Sequence, residues 1–440
     1  MIQNDALLIG CPEGITSRMR YIFSTLLHEM MGVTFTLTDD MQLFSDTDTP
    51  KILYGVPTYR TAAIIPSGLL TENGTACQTP GIVYYNDYPV LFHTPEPYAL
   101  LPFDVFSAAF WMLSRYEEYQ PFEPDLHGRY PATASLCGRN NLLKLPVVDL
   151  WSEMLKEKLQ AYFPDLTFEP RSFRFIPTID ADSAWAYRHK PWIQQAGAAA
   201  GELLTGRWKA LMHRVSVHLH LQPDPFYTWG LVDELHKGYP FPTVFFLLGQ
   251  YNAFNKNVYP KSPALQHLIR EMNQKGPCGI HPSYETAFNP DIMLREIALL
   301  CNITGIPVER SRQHFLRFRL PETFRALTRF GITEDYSMGY ASEPGFRAGT
   351  CQPFRFYDLT AEEETLLRLF PLTVMDGTLR DYLNLTPEQA TETIRQLADT
   401  VKKYRGVFIS LWHNESFSEK GRWIRWTNVY RELLRYANPN

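Results

Sequence analysis

Residues 178–182 read Thr-Ile-Asp-Ala-Asp. Asp180 and Asp182 stand two apart, so they share one face of a strand end, and a turn there would aim both into one pocket. Crowded carboxylates repel unless a cation or a shared proton intervenes, which makes the pair a candidate metal ligand plus general base. The plainer alternative is turn capping by aspartate. A second cluster, Gly-Ile-His-Pro-Ser-Tyr-Glu at 279–285, sets His281 and Glu285 four apart, on one side of a helical turn if the loop makes one. Neutral imidazole with carboxylates suits zinc or a similar divalent ion, although a lone histidine is more often a hydrogen-bonded structural residue.

His413 closes the run Ile-Ser-Leu-Trp-His. A histidine at a buried strand end is well placed as a general acid, because its ordinary pKa is near neutral. Asp376 follows another apolar run and could orient it. Arg347, in Gly-Phe-Arg-Ala-Gly, could hold a carboxylate in place or sit in an ordinary ion pair. Two further spacings look metal-like. Cys278 and His281 are three apart, which on a strand points them to opposite faces. His218 and His220 would share a strand face, as would the residues of any half-exposed strand.

These residues need elements to bring them together. Before about residue 160, short apolar runs (ALLIG, VTFTLT, KILYG, GIVYY, PVLFH) are separated by turn-rich pieces, with two helical patterns among them. In 17–31, Met19, Ile22, Phe23, Leu26, Leu27 and Met30 form one stripe. In 104–119, Asp104 can cap a helix that is apolar nearly all round and therefore buried. This part reads as α+β. A proline-bearing stretch, AYFPDLTFEPRS, then suggests a division into residues 1–165 and 166–440.

The second part has the rhythm helix, glycine, short strand. Ser262 and Pro263 open a helix that Gly276 stops, and the strand after it delivers His281. Thr386 and Gln389 fit a capping box around Pro387, Gly406 ends that helix, and VFISLW delivers His413. FRFIPTI delivers Asp180, and TVFFLLG adds another buried, parallel-type strand. Alternating helices and buried strands imply an α/β barrel or doubly wound sheet. Both architectures put chemistry at the carboxyl ends of the strands, where Asp180, Asp182, His281 and His413 all fall.

Composition narrows the function classes. The 440 residues are 45% hydrophobic and 20% charged, with 42 Lys+Arg against 47 Asp+Glu. That is ample for packed cores, and nothing in it suggests a nucleic-acid surface. No stretch approaches the ~20 apolar residues of a membrane span, and the start lacks the pattern of a signal peptide, so a cytoplasmic product is expected. Six scattered cysteines without a CxxC pair read as reduced thiols.

In order along the chain, TIDAD, HPSYE, FRAGT, VMDGT and ISLWH resemble the motifs of the polysaccharide deacetylases, the carbohydrate esterase family of the chitin-oligosaccharide deacetylase type. SRYEEY (114–119) and DLHGRY (125–130) resemble a domain of unknown function found ahead of a bacterial branch of these proteins. The resemblance implies a distorted (β/α) barrel preceded by the smaller α+β domain. It also implies metal-dependent removal of an acetyl group from an N-acetylated sugar or polysaccharide, with zinc the expected ion. By position, Asp180 would be the base, Asp182 and His281 metal ligands, His413 the acid, Arg347 the residue orienting the base, and Asp376 the one tuning His413. Ala181 occupies a position where the family has a metal ligand, and Glu285 replaces its second histidine, leaving an Asp182–His281–Glu285 set. Trp185, Tyr187, Tyr284 and Trp412 are candidates for stacking on sugar rings. Arg115, Glu117, Glu118, Asp125, His127 and Arg129 form either an ion-pair network or a surface laid along the barrel mouth. Rival readings are a hydrolase of a non-sugar amide and a silent glycan-binding or assembly protein. Oligomeric state is left open.

Overall fold

The computed structural model describes residues 6–57 and 61–438. Fifteen strands lie among them. Four form a small sheet: β1 (Leu7–Gly10), β2 (Phe35–Thr38), β3 (Lys51–Tyr54) and β4 (Ala63–Ile64), in the order β2-β1-β3-β4. Every pairing in it is parallel. The α+β expectation for this part is therefore corrected to α/β. Parallel neighbours need crossovers. The stripe at 17–31 supplies one, as an α-helix, Ser17–Phe23, continued by a π-helical stretch, Ser24–Met30. A short helix, Met41–Asp46, which the sequence pattern does not reveal, supplies the next. A separate hairpin joins β5 (Val83–Tyr85) and β6 (Tyr88–Val90).

The buried helix expected at 104–119 is shorter. It spans Val105–Leu113, with Asp104 capping it and every residue buried. Arg115 then turns left-handed, and a 3-10 turn, Tyr116–Tyr119, follows. This break buries Arg115, Glu117 and Glu118 together. Glu118 accepts from Arg115 Nε at 2.8 Å and takes a bidentate pair from Arg347, at 2.9 and 2.6 Å, 229 residues along the chain. Burial opposes ionisation of Glu118, yet the two guanidinium groups hold its carboxyl below the usual range. Glu118→Ala would leave buried Arg347 without its anion and Arg115 with Glu117 alone. We expect it to cost about 3–5 kcal/mol in urea unfolding.

The remaining strands are β7 (Arg174–Ala181), β8 (Thr243–Leu247), β9 (Cys278–His281), β10 (Arg310–Ser311), β11 (Glu334–Asp335), β12 (Phe354–Asp358), β13 (Glu363–Leu369), β14 (Val374–Met375) and β15 (Val407–His413). They make one mixed sheet, ordered β12-β13-β11-β10-β9-β8-β7-β15-β14, and only the β12–β13 pairing is antiparallel. The order does not close on itself. Even so, the four residues between β13 and β14 bond to both flanks. Phe370 N donates to Asp335 O in β11, and Thr373 N donates to Ile409 O in β15. One face of the sheet carries a compact apolar cluster including Phe245, Tyr336, Phe370, Met375, Val407, Ile409 and Leu411. The other face packs on the large core shared with the helices and the first part.

Local chemistry fixes where these strands end. The helix Pro263–Lys275 has proline in its first turn and Gly276 at its C-cap, and the capping box of Thr386 and Gln389 opens the helix Pro387–Lys403. Gly279 lies where any Cβ would meet the Phe245 ring at 2.6 Å and Arg310 O at 2.8 Å. A side chain there would push β9 away from its neighbours and move His281 with it.

A candidate metal and acid–base centre

The strand register places the chemistry. His413 is the cross-strand partner of Asp180, and Leu247 that of His281, so β15, β7, β8 and β9 all present their carboxyl ends at one rim. Period-2 alternation sends Thr178, Asp180 and Asp182 to one side of β7. Asp180 and His281 are buried, and Asp182 is partly open to a cavity of about 280 Å³.

Three groups there could hold a metal ion: Asp182, His281 and His314, whose ligand atoms lie within 4.8 Å of one another. His281 Nε2 is 3.1 Å from Asp182 Oδ1, and His314 Nε2 is 3.5 Å from Asp182 Oδ2. Each imidazole is turned by its other nitrogen. His281 Nδ1 donates to Arg312 O at 2.6 Å, and His314 Nδ1 to Asn255 Oδ1 at 3.3 Å. With both Nδ1 atoms donating outward, both Nε2 lone pairs face inward beside a carboxylate, the arrangement that second-shell partners give to metal ligands. Asp182 Oδ1 is buried and has no hydrogen-bond partner among the described residues. The donor set therefore fits a divalent cation.

The electrostatics agree. Burial opposes charge on Asp182, but His314 and His281 hold its carboxyl well below the usual range. Burial keeps the His314 imidazole below its usual range, so it stays neutral as a ligand must. His281 is drawn the other way, against its burial, by Asp180 and Asp182. The proton these carboxylates favour occupies the nitrogen a cation would take, so metal binding releases it.

Around this set stand Asp180 and His413, the candidate base and acid, with their supports. Arg312, itself fully buried, donates from Nη1 to Thr178 Oγ1 at 2.6 Å and to Asp180 Oδ1 at 3.1 Å, with its guanidinium over the Phe245 ring. His413 Nδ1 lies 2.8 Å from Asp376 Oδ1, and its backbone N–H donates to Asp376 Oδ2. Ser416 Oγ also donates to Asp376, so the acid is clamped from three directions. His413 Nε2 is thereby left facing the cavity, 3.6 Å from Asp182 Oδ2. Although burial disfavours its charge, Asp376 lifts His413 well above the usual imidazole range.

Several sequence expectations are corrected here. Glu285 is not at the cluster. Ser283 is extended after His281, and a 3-10 turn, Tyr284–Ala287, carries Glu285 to Asn252 and to Asn255 Nδ2, the latter at 2.7 Å. The third candidate ligand is His314, which sequence reasoning missed. Arg347 does not meet Asp180; it belongs to Glu118, and Arg312 stands beside Asp180 instead. Trp412 is fully buried against Tyr430, since alternation sends it to the face opposite His413. Trp185 is also buried, stacked on Tyr227. Tyr284 does lie at the rim, stacked on Phe254 at 4.0 Å with its hydroxyl 3.2 Å from His127 Nδ1, outside the cavity lining. The aromatic walls of the cavity are Phe315, Tyr382 and Trp423. His218 ends a helix, Trp208–His218, and His220 lies just beyond it, so the pair shares no strand.

The charged cluster of the first part divides in two. Arg115, Glu117 and Glu118 form the buried network described above. Asp125, His127 and Arg129 form a loop at the rim, where Arg129 donates to Phe315 O and lines the cavity.

Compared with known proteins, residues 7–164 match the model of a family of unknown function, DUF7033. No curated protein matches the chain. Among solved structures, the chain is similar to proteins described as polysaccharide deacetylases. One, from Mycobacterium smegmatis, has 16% identity over 61% of this chain and 84% of that one, with a TM-score of 0.38. Another, from Pseudomonas aeruginosa PAO1, has 13% identity over 60% and 85%, also at 0.38. A third, from Bacillus cereus, has 10% identity over 61% and 87%, at 0.28.

Proposed function

We propose that this chain is a metal-dependent hydrolase that removes the acetyl group from an N-acetylated sugar or polysaccharide. The observation that carries the reading is the set of Asp180 and His413, adjacent on paired strands, flanking Asp182, His281 and His314. We read the second part as a distorted (β/α) barrel, with residues 363–375 as the segment linking its two edges. The chain divides near residue 165 into two domains.

Asp182, His281 and His314 would hold the ion, with zinc the best match to one carboxylate and two imidazoles. A divalent cation there supplies a Lewis acid for an acyl carbonyl and makes water more acidic. Asp180, aimed by Arg312, takes a proton from the attacking water. His413, protonated at Nε2 and aimed by Asp376, gives a proton to the departing amine nitrogen, so acetate and a free amine leave. A 280 Å³ cavity sits just below the usual small-molecule range, and Trp423 and Tyr382 offer faces for a sugar ring.

The test is metal content and acetate release from N-acetylglucosamine oligosaccharides, beside a panel of cyclic and acyclic non-sugar amides. We expect a bound divalent ion, and acetate release that a chelator abolishes and zinc, cobalt or nickel restores. Turnover confined to the non-sugar amides would move the substrate class. Metal-free protein with no acetate release under any added ion would overturn the reading.

A further inference from the structure

Between β7 and β8 the chain builds a helical hairpin, Trp192–Leu204 and Trp208–His218, and its polarity is inverted. Of the three side chains buried on these helices, Glu202, Arg214 and Val217, two are an ion pair: Arg214 grips Glu202 at 2.7 and 3.0 Å and donates to Gln195 at 2.6 Å. The outside is apolar. Trp192 is 77% exposed, Ile193 66%, Leu204 86% and Met212 66%, with Trp208 and Leu221 similarly bare. Water-facing helices show the reverse pattern, and an apolar patch this dense marks an interaction surface.

Its charge names the partner. From Ser183 to Pro223 the only acid is Glu202, spent on Arg214, against Arg188, Lys190, Arg207 and Lys209. Whole-chain charge is −5, so this concentration of cations is local. Neither helix is long and apolar enough to cross a bilayer. Exposed tryptophan and leucine on both helices, with Arg207 and Lys209 exposed at the turn between them and almost no acid, is the composition of an element lying in a membrane interface. The hairpin leaves the sheet just after Asp182, at the rim of the candidate site. His213 meets Lys420, in the loop that brings Arg422 and Trp423 to the cavity.

We propose that the hairpin docks this protein on an anionic membrane surface and holds the cavity mouth beside the lipid headgroups. Docking stands apart from the reaction proposed above. Its corollary rests on that reading: the acetylated sugar would be one carried on a lipid or lying at the bilayer.

The experiment is vesicle flotation of the full chain on phosphatidylcholine with phosphatidylglycerol, and on phosphatidylcholine alone, with the oligomeric state measured in parallel. The wild type should float with the anionic vesicles, at least tenfold more strongly than with the neutral ones. Trp192→Glu with Leu204→Glu should abolish flotation, while metal content and acetate release from soluble oligosaccharides stay at wild-type level. Arg207→Ala with Lys209→Ala should weaken anionic binding roughly thirtyfold. Wild-type protein that floats with neither vesicle would overturn the proposal, as would hairpin variants that float like the wild type. A dimer that the Glu variants split, with no flotation, would assign the face to a second copy of the chain instead.

Discussion

Replacing His314 with alanine should strip the bound metal, whereas Glu285→Gln should leave it in place. The sequence pattern alone makes the opposite claim, because Glu285 sits four residues from His281. In the folded chain His314 Nε2 faces Asp182, while Glu285 faces two asparagines. Loss of a residue that only supports a ligand typically costs ten- to a hundredfold in metal affinity. Loss of the ligand itself should cost more than about a hundredfold, and Asp182→Asn and His281→Ala should do the same. Glu285 still matters at one remove. It accepts from Asn255 Nδ2 and so fixes that amide with Oδ1 toward His314. A glutamine oxygen can accept the same bond, so Glu285→Gln should keep its metal within about tenfold of wild type. Metal analysis with competitive chelation decides between the two residues. Retention in His314→Ala with loss in Glu285→Gln would refute the assignment.

What was legible in the sequence follows the strength of each local signal. Strands β7, β8, β9 and β15 read clearly because each is a mainly apolar run, ended by a polar residue in β7, β9 and β15, with a helix stopped by glycine before β9 and β15. That is enough to bring Asp180, Asp182, His281 and His413 to one rim. Arg312 and His314 follow β10, whose ladder pairing covers only Arg310 and Ser311, too short to show any periodicity. The available hint was compositional, an Arg-Ser-Arg-Gln-His cluster after Ile-Pro-Val. Arg347 and Arg312 could not be told apart because their partners are set by tertiary packing. One anion, Glu118, lies 229 positions away, and the other, Asp180, 132. Trp412 was legible in principle. It stands between Leu411 and His413, and alternation alone sends it away from the face His413 uses. In the first part, apolar runs identified strands but not their direction, since the helix at Met41–Asp46 that makes a parallel crossover is too short to leave a stripe.

The pH profile offers the second large effect, and its sign follows from His413. In the proposed role of acid to the leaving amine, His413 must carry its proton, so activity should fall on the alkaline side as that proton is lost. Burial alone would lower this pKa, and Asp376 overrides it through charge and a hydrogen bond to Nδ1. Asp180 and Asp182 also favour the charged imidazole, but a bound cation cancels much of their field at His413. Asp376, on the far side of the ring, keeps its effect in the loaded site. The wild type should therefore stay active well above the ordinary histidine pKa of ~6.5. Asp376→Asn should pull the alkaline limb of kcat/KM toward lower pH while leaving bound metal unchanged. His413→Ala should remove the limb together with about 10²–10⁴ of kcat, the usual worth of a general acid. Substrates with a better leaving group supply a readout that misfolding would not mimic. A leaving group stable as its anion needs no proton, so p-nitrophenyl acetate turnover should be far less damaged in His413→Ala than sugar deacetylation. Equal losses on both substrates, or an alkaline limb unmoved in Asp376→Asn, would show that the proton comes from elsewhere.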